Sequence, residues 1–170
     1  MDRSPYKEPF EEFERWYAEA RQKEPRDANA MALATATRHG TPSVRMVLLK
    51  GADDRGFVFY TNLESRKADE VLATSRVALC FHWKSLGRQV RVEGATERAS
   101  DAEADAYFAS RPRDSQVGAW ASDQSRLLES REGLERRVAE VSARYGNGPA
   151  PRGSPTSGVA AAPVRCRSAR

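Results

Sequence analysis

Two apolar runs indicate how this chain folds: Ser43-Val-Arg-Met-Val-Leu-Leu-Lys50 and, after the turn Asp53-Asp-Arg-Gly56, Phe57-Val-Phe-Tyr-Thr61. Both runs are short and rich in β-branched, aromatic or other large apolar residues, and turn residues separate them. This pattern is typical of neighbouring antiparallel β-strands. The centre of the chain is therefore predicted to be a β-sheet.

Further strands are expected on both sides of these runs. Residues 30–38 alternate with a period close to two, residues 76–83 are apolar on both faces, and residues 89–97 alternate between apolar and polar side chains. Helical periodicity and capping signals occur in four places, residues 8–24, 66–73, 101–110 and 129–145. We expect a mainly β fold, a small antiparallel barrel with helices packed against its outside.

Length and composition fit one globular domain, with 170 residues, 39% hydrophobic and 31% charged. No apolar run approaches the ~18 residues that cross a membrane, and the N-terminus lacks the apolar segment of a signal peptide. The two cysteines, Cys80 and Cys166, lie far apart and make no metal-ligand spacing. These features predict a reduced, cytoplasmic protein that does not contact a membrane.

The net positive charge of the chain comes from residues 151–170. The sequence pI is 9.3, but this segment holds four arginines and no acidic residue, so that residues 1–150 carry as many basic as acidic residues. A neutral body has no general attraction for a polyanion, and nucleic acid is not an expected partner. We predict one domain over residues 1–150 and a disordered basic tail over residues 151–170, whose composition is low in complexity and lacks aromatic residues.

Residues 111–125 combine two arginines with several hydroxyl and amide side chains. Pro112 is expected to end the preceding helix, because it lacks an N–H and disfavours helical geometry at the residue before it. Arg111 and Arg113 offer planar forks suited to phosphate or carboxylate, and Ser115 adds a hydroxyl donor. Two interpretations remain open: an exposed connection between two helices, or an anion-binding segment.

A second set of cations lies upstream. Arg45 and Lys50 stand at the two ends of one apolar strand. Arg66 and Lys67 are adjacent at a predicted helix N-terminus, where free N–H groups favour a phosphate. Solvated strand ends and an ordinary basic helix start are the alternatives. Gln89, on the polar face of its strand, either hydrogen-bonds the edge of a heterocycle or faces water.

Other kinds of functional site find little support. His39 and His82 are expected to be structural. No carboxylate or cysteine lies at a spacing that would make either histidine a metal ligand or a general base that activates a nucleophile. The chain also lacks GxGxxG, P-loop and Ser/His/Asp patterns. A nucleotide-like cofactor would therefore have to be held by side chains and strand edges.

Several segments, in unbroken order over roughly residues 8–151, resemble the pyridoxamine 5′-phosphate oxidase family. They are Arg45-Met-Val-Leu-Leu-Lys50, Phe59-Tyr-Thr-Asn62, Ser65-Arg-Lys-Ala68, Arg88-Gln-Val90 and Tyr107-Phe-Ala-Ser-Arg-Pro-Arg-Asp-Ser-Gln116, continued by Gly118-Ala-Trp-Ala-Ser122 and Gln124-Ser125. The resemblance implies a split β-barrel and a homodimer with FMN bound at the dimer interface.

The resemblance also implies the site residues. The FMN contacts fall on Arg45, Met46, Val47, Leu48, Leu49, Lys50, Tyr60, Thr61, Arg66, Lys67, Gln89, Gln124 and Ser125. The substrate-phosphate contacts fall on Lys50, Tyr107, Arg111 and Ser115. Two phosphate-bearing ligands need two clusters of cations and hydroxyls, and the chain supplies both.

In the reaction that the resemblance implies, FMN takes a hydride from C4′ of pyridoxamine or pyridoxine 5′-phosphate. Dioxygen then reoxidises the flavin to give hydrogen peroxide, and pyridoxal 5′-phosphate is the product, after water hydrolyses the imine and releases ammonia in the amine case. The flavin performs the redox step while the protein binds and orients, so no catalytic side chain and no metal are assigned. The expected function is this step of vitamin B6 metabolism. The alternative is a split-barrel module that binds FMN or pyridoxal phosphate without catalysis.

The resemblance stops near Pro151. The family continues with a Trp-Gly-Gly segment, another strand pair, a flavin-contacting tryptophan and an Arg-Leu-His-Asp-Arg motif, and residues 152–170 match none of these. We expect this end to be truncated or out of frame. Without the arginine and histidine of the motif, FMN binding should weaken and turnover should be strongly impaired, since one preorganised donor is worth roughly 3 kcal/mol.

Overall fold

A computed structural model describes residues 7–53, 55–63, 65–98, 100–121, 130–145 and 161–166. Its helices are α1 (Lys7–Lys23), α2 (Arg66–Thr74), α3 (Asp101–Ser110), α4 (Arg113–Ala121) and α5 (Arg131–Tyr145), with a 3₁₀ turn at Lys84–Leu86. Its strands are β1 (Ala30–Ala36), β2 (Pro42–Leu48), β3 (Gly51–Asp53), β4 (Gly56–Asn62), β5 (Arg76–Trp83), β6 (Arg88–Arg98) and β7 (Ala161–Cys166). None of the helices in these ranges is long and apolar enough to cross a membrane.

The seven strands of the described residues form one sheet in the order β2-β1-β5-β6-β7-β4-β3. β1 pairs with β2 along its full length and also with β5, β5 pairs with β6, β6 with β7, and β3 with β4, all antiparallel. The predicted combination of an antiparallel sheet with helices is confirmed. β2 lies at one end of the strand order and β3 at the other.

The chain divides into two compact units. The sheet unit comprises residues 1–60, 70–98 and 164–170, and the helical unit comprises residues 61–69 and 99–163. Each unit has its own hydrophobic cluster.

The core of the sheet unit is aromatic. Phe13 of α1 packs against Phe57 of β4 and against Phe81 and Trp83 of β5, with ring centroids 4.8, 5.2 and 5.9 Å apart. The buried indole N–H of Trp83 donates to the Ala28 carbonyl at 2.8 Å, so this polar group is satisfied. The apolar face that periodicity predicts for α1 is therefore the face that is buried.

The core of the helical unit is smaller. Phe108 of α3 and Trp120 of α4 are buried, and Val141 and Tyr145 of α5 pack against them. The rings of Trp120 and Tyr145 lie 5.2 Å apart. The helix predicted at residues 129–145 thus contributes one apolar edge to this cluster, while the rest of α5 stays polar and largely exposed.

Arg88 joins the start of β6 to α1. Its Nη1 donates to Glu19 Oε2 at 2.5 Å, and its guanidinium lies over the Trp16 ring, 5.0 Å from the centroid. Lys23 donates to the other oxygen of the same carboxylate at 2.7 Å. The hydrogen bonds from Lys23 and from Arg88 hold the pKa of the Glu19 carboxyl below its usual value. This contact anchors the strand that carries Gln89.

Two elements of the sheet differ from the sequence prediction. The short strand β3 was not predicted; it pairs with β4, with Gly51 opposite Val58 and Asp53 opposite Gly56. β5 was expected to be buried on both faces, but only every second residue is fully buried, and His82 is exposed. The other face of β5 carries the small residues Ala78 and Cys80, which are half-buried.

Within residues 151–170, for which composition predicts disorder, the structure describes one strand. β7 pairs with the end of β6, with Thr96 opposite Cys166 and Arg98 opposite Val164. Residues 161–166 read Ala-Ala-Pro-Val-Arg-Cys and show no alternation of period two, so the sequence carries no local signal for this strand. The rest of the segment lies outside the described residues, and the division at residue 150 stays a prediction.

Replacing Phe13 by alanine is expected to lower the free energy of unfolding by about 3–5 kcal/mol, because the lost ring leaves a cavity among three others. Urea denaturation followed by tryptophan fluorescence measures this change. Leu72→Ala is the control, since Leu72 is 60% exposed and its loss should cost less than about 0.5 kcal/mol. Equal, small losses in the two variants would contradict the packing of α1 on the sheet.

Candidate functional site

Strand β2 separates its side chains into two sets. Ser43 and Arg45 are half-buried, whereas Val44, Met46 and Leu48 are 68%, 65% and 41% exposed. This division follows from the two-residue period of a strand. The inward set contains a cation that the sequence singled out, and the outward set leaves an apolar face uncovered.

The guanidinium of Arg45 lies in a polar network shared with β1 and α2. Its Nη1 donates to Thr35 Oγ1 at 2.5 Å and to the Leu33 carbonyl at 3.2 Å, and its Nη2 donates to Ser43 Oγ at 2.5 Å. The same Nη2 lies 3.3 Å from Glu70 Oε2. Thr35 and Ser43, which face each other in the register of β1 and β2, both donate to that carboxylate oxygen.

The network satisfies a buried charge. The side chain of Glu70 is 4% exposed and that of Arg45 is 21% exposed. A carboxylate taken out of water is tolerated only when it is paired and hydrogen-bonded. Glu70 has both kinds of partner, and Arg45 in turn is held in one orientation by five acceptor atoms, one of them the Ser43 carbonyl at 3.5 Å.

The chain turns from β2 to β3 at Lys50, the second cation predicted on this strand. The Leu49 N–H donates to the Asn29 carbonyl and the Lys50 N–H donates to the Val58 carbonyl, both at 2.8 Å. Leu49 is buried in the core, while the Lys50 side chain is exposed. Backbone pairing thus fixes the position from which the exposed Lys50 side chain leaves the sheet unit.

Two further predicted FMN contacts lie on other strands of the sheet unit. Tyr60 is half-buried on β4. Gln89 is exposed on β6, directly opposite His82 of β5. The amide of Gln89 therefore stands on an open face of the sheet, where either interpretation of its role remains available.

In the helical unit, Ser65 organises the start of α2. Its Oγ donates to the Asn62 carbonyl at 2.7 Å, accepts a hydrogen bond from Lys67 Nζ at 3.2 Å, and lies 3.4 Å from Thr61 Oγ1. Its carbonyl accepts the Ala68 N–H at 2.8 Å, which begins the helix. The structure thus brings Thr61 and Lys67 to one fully buried serine.

The predicted pair of cations does occupy the first turn of α2. Arg66 is the first residue of the helix and is exposed, and Lys67 is half-buried. The N–H groups at a helix start lack helical partners and carry a partial positive charge. Together with two cations and buried hydroxyls, they form a donor set of the kind that binds phosphate.

The second predicted cluster surrounds the turn between α3 and α4. Tyr107, Arg111 and Ser115 are half-buried there. α3 ends before Arg111, as Pro112 predicts, and the Arg111 guanidinium lies 5.8 Å from the centroid of the Phe108 ring. The three side chains thus come from the end of one helix, the turn and the first part of the next.

Residues 111–121 are not the exposed connection that one interpretation of the sequence offered. After the proline the chain forms α4, and Gln116, Val117, Trp120 and Ala121 are buried. The segment is polar by composition, but its apolar residues fall on one side of a helix. A polar composition is thus compatible with burial, because nine helical residues suffice to bury one face.

Gln116 fixes the backbone at this turn. Its buried side chain donates from Nε2 to the Arg111 carbonyl at 2.8 Å and to the Ala109 carbonyl at 3.3 Å. These carbonyls belong to the end of α3, where helical partners run out. The amide therefore supports the backbone from which Arg111 projects.

Not every site residue can be placed, and sequence reasoning missed others. Gln124 and Ser125 lie outside the described residues. Thr35, Ser43 and Glu70, which hold Arg45, were not predicted as site residues. A usable signal was Glu70 beside Val71 on one side of a short amphipathic helix, since a glutamate at a buried helical position requires a cation nearby.

Comparison with known proteins identifies close relatives. A family model described as pyridoxamine 5′-phosphate oxidase matches residues 17–145. Curated proteins of Brucella canis and Brucella suis, both named pyridoxine/pyridoxamine 5′-phosphate oxidase, are 59% identical over 157 residues. These alignments cover 92% of this chain and 77% of each relative.

Chains of similar structure also occur among solved proteins. PhzG from Burkholderia lata 383, in complex with tetrahydrophenazine-1-carboxylic acid, superposes with a TM-score of 0.84 at 31% identity, covering 94% of this chain and 76% of PhzG. A pyridoxamine 5′-phosphate oxidase-related, FMN-binding protein from Nostoc punctiforme PCC 73102 gives a TM-score of 0.69 at 15% identity, covering 99% and 83%. The second likeness concerns the fold alone.

Replacing Gln116 by leucine is expected to lower the free energy of unfolding by about 1–3 kcal/mol, because two carbonyls at the end of α3 lose their donor. Thermal or urea denaturation measures the effect. Gln89→Leu makes the same chemical change at an exposed position and should cost less than about 0.5 kcal/mol. If the two variants were equally stable, the amide of Gln116 would have no role in fixing this turn.

Proposed function

The chain belongs to the pyridoxamine 5′-phosphate oxidase family, and we propose that it oxidises pyridoxamine or pyridoxine 5′-phosphate to pyridoxal 5′-phosphate, with FMN as cofactor and dioxygen as acceptor. The observation that carries this proposal is the 59% identity to relatives named for this activity, over 92% of the chain. PhzG, whose structure holds a tricyclic carboxylic acid, is more distant in sequence at 31% identity. The phosphorylated pyridine is therefore the favoured substrate.

The donor chemistry of the described residues suits FMN. A flavin mononucleotide presents a phosphate, a ribityl chain and a heterocycle with hydrogen-bonding edges. Arg45 on β2 and the helix start with Arg66 and Lys67 offer cations, N–H groups and hydroxyls to a phosphate. Gln89 offers an exposed amide to a heterocycle edge. We assign these residues to FMN, with Met46–Leu49, Lys50, Tyr60, Thr61, Gln124 and Ser125.

The turn between α3 and α4 suits the phosphate of the substrate. Arg111 offers a bidentate fork, Tyr107 and Ser115 offer hydroxyls, and all three are half-buried rather than fully solvated. Partial burial strengthens such hydrogen bonds, because water competes less for the donors. The family resemblance also assigns Lys50, an exposed residue of the sheet unit, to a substrate phosphate.

The chemistry that FMN would supply when bound is acceptance of a hydride from C4′ of the substrate, with dioxygen as the final acceptor. The residues of this chain bind and orient. Arg111, Tyr107 and Ser115 fix one end of the substrate, so that C4′ is held at a constant position. Fixing a substrate by a group remote from the reacting carbon removes translational and rotational freedom before the chemical step.

A second copy of the chain is the proposed occupant of the open face of β2. Val44, Met46 and Leu48 expose a row of apolar side chains on a strand at the end of the sheet order. Uncovered apolar rows of this kind mark association surfaces. β2 also carries Arg45 on its other face, so that homodimerisation and cofactor binding would depend on the same strand.

A cytoplasmic setting, expected from the two widely spaced cysteines, stays a prediction.

The activity test measures peroxide and pyridoxal 5′-phosphate formed by the purified, FMN-loaded chain. We expect both products with pyridoxamine 5′-phosphate. In Arg111→Ala, KM for this substrate should rise about 10- to 100-fold, the effect of losing a hydrogen bond to a charged group. Unphosphorylated pyridoxamine should be equally poor for both proteins, since it lacks the group that Arg111 binds.

Arg131→Ala is the matched control, because Arg131 is an exposed arginine of α5 bonded only to Glu135 among the described residues. It should leave KM unchanged.

Flavin absorbance without products from either phosphorylated substrate would instead favour a non-catalytic FMN-binding module. Turnover of a carboxylated tricyclic substrate alone would favour a PhzG-like role. Residues 152–170 do not match the Arg-Leu-His-Asp-Arg motif of the family, and the impaired turnover expected for that reason stays a prediction. The rate of product formation per bound flavin measures it.

Met46→Asp is expected to turn the homodimer into monomers, because it places a charge in the apolar row of β2. Sedimentation velocity of the purified protein measures the change in mass. Leu72→Asp is the control, since Leu72 is exposed to a similar extent on α2, and it should remain dimeric. A Met46→Asp protein that sediments as a dimer would refute the proposed interface.

A further inference from the structure

We propose that Glu70 is a positioning residue of the FMN site: its buried carboxylate, together with Thr35 and Ser43, fixes the Arg45 guanidinium for the flavin phosphate. The inference rests on the proposed function, in which Arg45 contacts FMN. It adds a residue that lies outside the assigned contacts and acts only through Arg45. Glu70 is therefore not proposed to touch the cofactor.

The geometry concentrates three donors on one oxygen. Thr35 Oγ1, Ser43 Oγ and Arg45 Nη2 all point to Glu70 Oε2. The two hydroxyls also accept hydrogen bonds from Arg45, at 2.5 Å each. Each hydroxyl thus links the carboxylate to the guanidinium. Glu70 therefore contacts Arg45 in three ways: directly, through Thr35 and through Ser43.

The pairing of β1 with β2 fixes the positions of the two hydroxyls. Thr35 and Ser43 are directly paired across β1 and β2, and their Oγ atoms lie 3.2 Å apart. Thr35 is 4% exposed, so water competes little for its hydroxyl. The backbone of two paired strands therefore holds the hydroxyls, and the hydroxyls hold the guanidinium.

Stability alone gives little reason for a carboxylate at this position. Exchanging a buried ion pair for apolar side chains of similar volume is often neutral or stabilising. An arginine that must bind a phosphate has a different requirement, because a freely rotating arginine side chain loses rotamer entropy when it is fixed. A carboxylate that fixes it during folding removes this cost from the binding step.

The pair is also electrically neutral, which separates two possible roles. If the charge of Arg45 mattered most, Glu70 would oppose phosphate binding by cancelling that charge. If the direction of its N–H groups matters most, Glu70 favours phosphate binding. The network engages Nη1 and Nη2 and leaves the Nε–H of Arg45 without a partner among the described residues, which supports the second role for that N–H. The two roles predict opposite effects of removing the carboxylate.

The test compares FMN with riboflavin, which differs only in lacking the phosphate. Titration of the full-length apoprotein, followed by quenching of flavin fluorescence, gives both dissociation constants and needs no turnover. In Glu70→Leu the affinity for FMN should fall at least about tenfold, the effect of one misplaced hydrogen bond to a charged group, while riboflavin affinity stays the same. Glu70→Gln keeps an acceptor oxygen for all three donors and should restore the preference for FMN.

Three comparisons make the outcome unambiguous. Arg45→Ala should abolish the same part of the FMN preference, and adding Glu70→Leu to it should have no further effect on the ratio of the two constants. Glu135→Leu removes an exposed glutamate that pairs with Arg131 and should change neither constant. Ser43→Ala removes one link without removing the charge and should lower the ratio about threefold, which tests the idea even if Glu70→Leu does not fold.

Each result has one meaning. An unchanged ratio in Arg45→Ala would remove Arg45 from the flavin phosphate and overturn that part of the proposed function. A reduced ratio in Arg45→Ala with an unchanged ratio in Glu70→Leu and Ser43→Ala would overturn only the positioning role. Tighter FMN binding in Glu70→Leu would show that the carboxylate opposes the phosphate, and equal weakening of both flavins would show a purely structural role.

Discussion

The pairing of β2 with β1 is the constraint on which the candidate cofactor site depends. Successive side chains of a strand point to opposite faces, so Arg45 and Ser43 face inward when Met46 and Val44 face outward. A shift of one residue in register would exchange the two sets, exposing the cation network and burying the apolar row. The sheet therefore cannot place one of these features without placing the other, and any change in this strand is expected to affect both.

Burial then dictates the chemistry around Arg45. The inward face of β2 meets α2, and Glu70 is nearly inaccessible there. An arginine beside apolar core residues would lose its hydration without compensation, as would the glutamate. The paired strands solve this by supplying hydroxyls at opposite positions, Thr35 and Ser43, which bond to both charges. Polar groups inside the sheet unit thus follow from satisfying one ion pair.

The sequence predicted most of the fold because most elements have a strong local signal. The strand predicted at residues 76–83 and the helix predicted at residues 101–110 have the observed bounds, and a capping box of Ser100 and Glu103 begins α3. β3 was missed because three residues carry no period, and α4 because its polar composition masks one buried face. Cations could be chosen by residue type, but Glu70 could not be paired with Arg45 from sequence, because they lie 25 residues apart and only the fold brings them together.

Charge balance sets what the two clusters must achieve. Residues 1–150 carry equal numbers of basic and acidic residues, so no overall field draws a phosphate toward this body. Affinity for a phosphorylated ligand then has to come from donors at short range, where direction counts as much as charge. Both clusters have that property: Ser65 and the start of α2 fix Lys67, and Gln116 fixes the backbone that carries Arg111. In each case a buried, uncharged side chain orients a cation that is itself only partly exposed, and this arrangement is the one that the proposed binding of phosphates by a neutral body requires.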